Sequence, residues 1–379
     1  MRELLLRLTE SNCREGKAQM RFRTLTVCLL LMALVAGGCV SSTQQTNTGT
    51  LRAKKGPNDP IKIGFSMDTL KEERWQRDKD LFEKYAKEKG IELNVQVANG
   101  SDSEQIKQAE NMLTQGVDVL IVAPHNSEIA ASIVESAHRQ GVPVIAYDRL
   151  IKNADVDLYI SHQVVKMGEM QAKYLLDHVN KKPANFVIVG GSPTDNNAIL
   201  LHEGQMNILK PAVDRGDVKI VADQYAKEWQ ASAALNIVEN ALTQSNNQVD
   251  AVVCSNDGTA RGAVQALEAQ GLTGKVLVSG QDADLASLKL IVEGKQTMTV
   301  YKSLQPLAYG AMDAAVKLAR GEKLETTETI DNGFKKVPAI LLEPVAVDRN
   351  TLLSTVVKDG YRKLEEICAG LPPEKCPKE

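Results

Sequence analysis

The 379-residue chain carries 45 lysines and arginines against 48 aspartates and glutamates, and at 43% hydrophobic and 25% charged it has an ordinary globular composition. A formal charge of −3 excludes the clustered positive field that phosphate contacts with nucleic acid require. The length supplies two lobes of roughly 100–150 residues each.

From Met20 the chain reads Met-Arg-Phe-Arg, an uncharged stretch from Leu25 to Ala36, then Gly37-Gly38-Cys39. A basic start, an apolar run too short to span a bilayer and small residues before a cysteine make a secretory signal over 20–39. It resembles a bacterial lipoprotein signal, which implies lipidation of Cys39, although Ala36 stands where a larger aliphatic is usual. The alternative is a buried apolar helix with an incidental cysteine. Glu3, Glu10 and Glu15 do not suit an n-region, so the expected start is Met20. Residues 40–60 are polar and without periodicity, as a flexible tether would be.

Past the tether, strands and helices alternate, the pattern of βαβ units around a parallel sheet. Strands are predicted at 61–66, 92–97, 117–123, 142–147, 157–161, 186–190, 218–222, 249–254, 275–279 and 298–301, with amphipathic helices between them. Ile106, Ala109, Met112 and Leu113, for example, recur three and four apart on one helical face. The chain also nearly repeats itself. Glu110-Asn-Met-Leu-Thr-Gln115 returns as Glu239-Asn-Ala-Leu-Thr-Gln244, and each copy leads through Val-Asp, a strand and a helix to a second strand ending at an aspartate, Asp148 or Asp282. Two copies of one α/β unit imply two similar lobes, the first from Ile61 to about His162 and the second from the helix at Val165. Ligands of open parallel sheets bind beyond the carboxyl ends of the strands, so facing lobes would bring both aspartates to one cleft.

Polar residues gather at those strand ends: Asp148-Arg149, Asn197, Asn256-Asp257, Asp282 and Lys302. Charged and bidentate groups of this kind suit a polyhydroxylated ligand, whose buried hydroxyls need both donors and acceptors. The only two tryptophans, Trp75 and Trp229, lie beside them, and an indole packs well on the C–H face of a sugar ring. Other readings stand open: tryptophans as core anchors, Ser255, Asn256, Asp257 and Asp282 as helix N-caps, Asp195 to Asn197 as a turn, Arg149 and Lys302 as solvated charges. No base and nucleophile pair, phosphate loop or metal-ligand spacing is present, so neither catalysis nor a cofactor is expected. Of six cysteines, Cys254 ends an apolar strand and reads as a small buried side chain, while Cys368 and Cys376 flank a turn-rich segment that would close as a disulfide in an oxidising compartment or remain two free thiols.

These stretches together resemble the D-xylose-binding group of the ribose/galactose-type periplasmic binding proteins of bacterial ABC transporters, over Ile61 to about Tyr361. The likeness rests on Glu73-Arg-Trp-Gln76, Ala146-Tyr-Asp-Arg149, Gly190-Gly-Ser-Pro193 with Asp195-Asn-Asn-Ala198, Ser255-Asn-Asp257, Ser279-Gly-Gln-Asp-Ala-Asp284 and Gln296-Thr-Met-Thr-Val-Tyr-Lys302. It implies an α/β fold of two doubly wound parallel-sheet lobes joined by a multi-crossing hinge. It assigns 61–162 plus 284–322 to the first lobe, 163–283 plus 323–365 to the second, and 366–379 to a tail. By position it implies that Arg74, Asp148, Arg149, Asn197, Asn256, Asp282 and Lys302 hydrogen-bond a monosaccharide, with D-xylose first and another pentose, a hexose or a signalling furanose as alternatives, and that Trp75 and Trp229 pack on it. A monomer, lipid-anchored or periplasmic, would deliver that sugar to a permease with a separate ATPase, and a chemoreceptor is a further possible partner. A transcriptional regulator of the lactose-repressor type shares such lobes, but would carry a helix-turn-helix head where this chain has a signal and tether.

Overall fold

A computed structural model describes residues 53–378. The signal at 20–39, with Cys39, and the tether up to residue 52 lie outside the described residues. The end of the expected tether is not loose. Lys55 N donates to Ala319 O at 3.0 Å, Arg320 Nη2 to Pro57 O at 3.0 Å, and Lys55 Nζ sits 3.2 Å from Asp118, so 53–60 is fixed against the first lobe.

The first lobe opens with β1 (Lys62–Met67), α1 (Glu73–Lys89), β2 (Glu92–Val97), α2 (Asp102–Thr114), β3 (Val119–Ala123), α3 (Ala131–Arg139), β4 (Val144–Tyr147) and β5 (Leu158–His162). The second follows with α4 (Val164–His178), β6 (Ala184–Gly190), α5 (Asn196–Asp214), β7 (Val218–Tyr225), α6 (Ala231–Gln244), β8 (Ala251–Cys254), α7 (Asp257–Ala269), β9 (Leu277–Val278), α8 (Leu285–Glu293) and β10 (Met298–Tyr301). Then come α9 (Leu304–Arg320), β11 (Glu328–Asp331), β12 (Lys336–Leu342), β13 (Val345–Asp348) and α10 (Leu364–Cys368).

Two sheets carry the lobes. The larger has seven strands in the order β11-β12-β5-β4-β3-β1-β2, parallel apart from β11, and the smaller has the order β7-β6-β8-β9, all parallel. Helices cover both faces, which is why β3 and β8 read as unbroken apolar runs and are buried throughout. Ile63, Phe65 and Ile121 pack under α1 and α9 on one face of the first sheet, and Leu120, Val122 and Val144 under α2 and α3 on the other. In the second lobe α6 and α7 cover one face and α4 and α5 the other. The repeat read in the sequence is therefore real architecture: α2-β3-α3-β4 in one lobe, α6-β8-α7-β9 in the other.

The lobe boundaries need correction. Segment 284–302 was expected in the first lobe, yet β10 runs beside β9, with Thr297 N bonded to Val278 O and Val300 N to Gly280 O, and pairs antiparallel with β13. Both α8 and β10 thus belong to the second lobe. Segment 323–342 was expected in the second lobe, yet β12 adds to β5 of the first sheet. The chain crosses between lobes at His162–Val164, Tyr301–Leu304 and Leu342–Val345.

The end of the chain is tied down. Cys368 and Cys376 are disulfide-bonded with Cα atoms 5.7 Å apart, Ile367 is fully buried, Lys289 Nζ donates to Ala369 O at 2.8 Å and Arg349 Nη2 to Lys375 O at 2.7 Å. Cross-linking so short a loop removes about 2–3 kcal/mol of chain entropy from the unfolded state. Cys376→Ser should therefore lower the midpoint of urea unfolding by a corresponding amount, and dithiothreitol should produce the same shift in the wild type and none in the variant.

Candidate functional site

The strand tips of the two sheets face each other across one cavity, lined by Glu72, Arg74, Trp75, Asp148, Arg149, Asp195, Asn197, Trp229, Asn256, Gln281, Asp282 and Lys302. Every residue expected to contact a sugar is among them. Arg74 and Trp75 come from the first turn of α1, Asp148 and Arg149 follow β4, Asn197 opens α5, Trp229 follows β7, Asn256 joins β8 to α7, Asp282 follows β9 and Lys302 follows β10.

The two repeat aspartates do the same local job. Both take a positive φ, 61° at Asp148 and 104° at Asp282. Each donates its backbone N–H to the neighbouring segment of its lobe, Asp148 to Ile160 O and Asp282 to Val300 O, both at 2.8 Å. A left-handed residue ends the strand abruptly and leaves the carboxylate at the strand tip, and aspartate tolerates that conformation better than bulkier residues do.

Charge pairing organises the cavity. Arg74 Nη1 reaches Asp148 Oδ2 at 2.5 Å, while its Nε and Nη2 bond Asp78 Oδ2 at 3.0 and 2.6 Å. Lys302 Nζ lies 2.9 Å from Asp282 Oδ1 and 3.7 Å from Asp148 Oδ2, so one ammonium links the aspartates of both lobes. Arg149 bridges the lobes as well, with Nη1 2.7 Å from Asp68 and Nε 2.8 Å from Asp195. Burial by itself would raise the Asp148 carboxyl, but Arg74 and Lys302 outweigh it and hold the group well below the usual carboxylate range. Behind Lys302, His162 is only 1% exposed, and burial together with the ammonium pushes its pKa down to about 3, leaving it neutral.

Several residues serve two purposes where the sequence left a choice. Trp75 belongs to the first-lobe core and also walls the cavity, its ring lying under the guanidinium groups of Arg74 at 4.1 Å and Arg149 at 5.1 Å from the centroid. Asn256 is indeed the N-cap of α7, accepting from Thr259 N at 2.8 Å through Oδ1, which leaves its amide nitrogen outside the cap. Asp195 caps α5 through Asn197 N at 2.9 Å while its other oxygen holds Arg149. Trp229 lies against Gly191, where a Cβ would fall 2.1 Å from the indole. Asn197 donates through Nδ2 to Asp148 O at 3.1 Å, and its Oδ1, Trp229 Nε1 and Gln281 Oε1 are buried without a hydrogen-bond partner. Orphaned donors and acceptors of both kinds around one cavity are what a polar, uncharged guest would satisfy.

Sequence reasoning missed Glu72, Asp195 and Gln281 as lining residues, Asp195 having been read as part of a turn. Glu72 stood beside Glu73 as one more acid at a helix start, and Gln281 was read only as part of a motif. Cys254 is the free cysteine among the described residues, fully buried as expected, and burial raises its thiol. No group of His, Cys, Asp and Glu among the described residues could hold a metal ion, and no helix among them is long and apolar enough to cross a membrane.

Comparison with known proteins gives concordant results. Residues 63–323 match a family model described as a periplasmic binding protein domain. The chain is 50% identical over 318 residues to the D-xylose-binding periplasmic protein of Haemophilus influenzae, covering 84% of this chain and 95% of that protein. It is also 50% identical over 307 residues to the protein of the same name from Escherichia coli, covering 81% of this chain and 92% of that one. A carbohydrate transporter solute binding protein from Chloroflexus aurantiacus, solved with D-glucose, superposes with a TM-score of 0.78 at 30% identity, over 81% of this chain and 98% of that one.

Two tests follow from the geometry. Gly191→Ala must displace the Trp229 ring, so tryptophan fluorescence should shift and cavity affinity should fall. Asp68 tests the charge pairing: burial opposes ionisation, but His125 and Arg149 bring its carboxyl down from 3.8 to about 2. The native state then holds fewer protons than the unfolded chain between those values, so the stabilisation is complete above pH 3.8 and fades as pH falls toward 2. Unfolding free energy measured across that window should decline, and Asp68→Asn should flatten the decline.

Proposed function

The chain belongs to the periplasmic binding protein family, and from that premise we propose that it is the extracytoplasmic solute-binding subunit of an ABC sugar importer, taking D-xylose into the cleft between its lobes. It is a binding protein with no chemistry of its own to perform. The observation that carries this reading is the cavity itself, in which charged strand tips of both lobes and both indoles meet. Asp148 and Asp282 would accept from sugar hydroxyls; Arg74, Arg149, Lys302, Asn197 and Asn256 would donate; Trp75 and Trp229 would cover the C–H faces of the ring. Since the lining comes from both lobes, a sugar binds fully only when they are closed, and it stabilises that state by its greater affinity for it. Lipidation at Cys39 would hold the protein at the membrane beside its permease and ATPase, with a chemoreceptor as a further partner.

A hexose is the second reading, favoured by the D-glucose held by the Chloroflexus protein. A thermal-shift panel of xylose, ribose, arabinose, glucose and galactose separates the two, because preferential binding to the native state raises Tm. Xylose should give the largest shift; a larger one with glucose would replace the ligand, and no shift with any sugar would overturn the class. Arg149→Ala and Asp282→Ala should each weaken xylose binding about ten- to a hundredfold in calorimetry while the protein stays folded. Unchanged affinity would remove those residues from the site.

A further inference from the structure

Helix α8 begins in the second lobe without a cap of its own. Its N-cap residue, Asp284, makes no side-chain cap bond. The first-turn N–H of Leu285 is instead accepted by Glu73 Oε2 at 3.1 Å, from α1 of the first lobe, across the cleft. The other oxygen of Glu73 pairs with Arg362, a second-lobe guanidinium only 2% exposed that follows Tyr361, and lies 3.4 Å from Arg77 Nε of its own helix. Arg77 also donates to Tyr361 O at 3.1 Å. One carboxylate thus satisfies a helix terminus and a buried cation belonging to the opposite lobe.

We propose that Glu73 is a closure latch: a positioning residue that caps α8 and neutralises Arg362 only when the lobes are shut, and so sets the closed fraction without touching the sugar. The inference rests on the binding-protein reading above and extends it. Some other bonds between the lobes involve cavity residues, as in Arg149 with Asp195 and Asn197 with Asp148 O, and others join backbone or hydroxyl groups at the rim, as in Ser127 N with Thr194 O; Glu73 differs in meeting a helix terminus and a buried cation of the opposite lobe at once. Glu73 lies outside the cavity lining. Opening leaves Arg362 and the α8 terminus to water, which costs part of their stabilisation. Burial opposes ionisation of Glu73, but Arg362 and the Leu285 N–H together keep its carboxyl below the ordinary glutamate value, so it stays charged.

Apparent affinity is intrinsic affinity scaled by the population of the competent state. Glu73→Ala should therefore weaken every sugar that the wild type binds by one common factor of about three- to thirtyfold, leaving the ratios between sugars unchanged. Glu73→Gln, which keeps an acceptor for Leu285 N but loses the charge facing Arg362, should fall between, and being isosteric it guards against loss of fold. Interlobe distance in the unliganded protein, read by fluorescence transfer between dyes on the two lobes, should shift toward the open form in both variants. That readout needs no ligand, so it tests the latch even if the sugar reading fails. A wild-type distance distribution in both variants, or a loss of affinity that differs from sugar to sugar, overturns the proposal.

Discussion

Buried charge is the constraint from which the rest of this structure follows. Arg74, Asp148, Lys302 and Asp282 form an alternating chain running from the first lobe, through the strand end at the hinge, to the second, and each of the four is at most 6% exposed. Removing such ions from water costs several kcal/mol each unless partners compensate. Alternation provides the partners, and it also selects the guest. A charged ligand would disturb a nearly balanced set of carboxylates and cations, whereas a neutral polyol can accept from the guanidinium and ammonium groups and donate to the carboxylates without altering the balance. The same constraint explains the layer behind the cavity, where Asp78 and Asp68 hold the arginines that the cavity uses.

Duplication supplies the positions of those charges. One α/β unit, used twice, ends each copy on an aspartate in a left-handed conformation, and the matched bonds to Ile160 O and Val300 O show that the neighbouring chain supports both in the same way. Strain of this kind persists where surrounding structure over-determines it and is concentrated at functional sites. The two copies nevertheless differ in their partners: Asp148 faces Arg74 closely, while Asp282 relies on Lys302. An asymmetric ring can therefore be held in one orientation by a pseudo-symmetric frame.

What could be read in the sequence was what burial writes there. Central strands such as Val119–Ala123 and Ala251–Cys254 are apolar throughout because helices cover both faces, and Glu92–Val97 and Met298–Tyr301 were placed to the residue. The edge additions were not legible. Strand β11 is mostly exposed, and β12, though apolar from Val337 to Leu342, holds Pro338, which reads against a strand inside a sheet, and the crossing at Leu342–Val345 had no local mark. The placement of β10 in the first lobe came from the resemblance and not from periodicity, and the strand read at 275–279 shortens to a two-residue β9. In the site, residues with a distinctive type at a strand tip were found, whereas Glu72 was hidden in a run of helix-start charges. Its place on the cavity wall depends on the angle at which α1 leaves β1, which is a tertiary property.

Hinge chemistry shows how closure stays under ligand control. The first crossing passes through His162, buried among Lys302, Arg74 and Asp148. A permanently charged residue there would add a third cation beside the two that already serve Asp148, and the network would then need a further carboxylate that the sugar site does not supply. A neutral imidazole fills the same volume and leaves the balance intact. Meanwhile the bonds between lobes at the rims are polar, among them Ser127 N to Thr194 O at 3.0 Å and Asn196 N to Ser127 Oγ at 2.9 Å at one rim and the Glu73 contacts at another. Bonds of that kind exchange with water at small net gain. They can bias the open–closed equilibrium without settling it, which leaves the larger part of the closing free energy to whatever satisfies the unpaired Asn197 Oδ1, Trp229 Nε1 and Gln281 Oε1 inside.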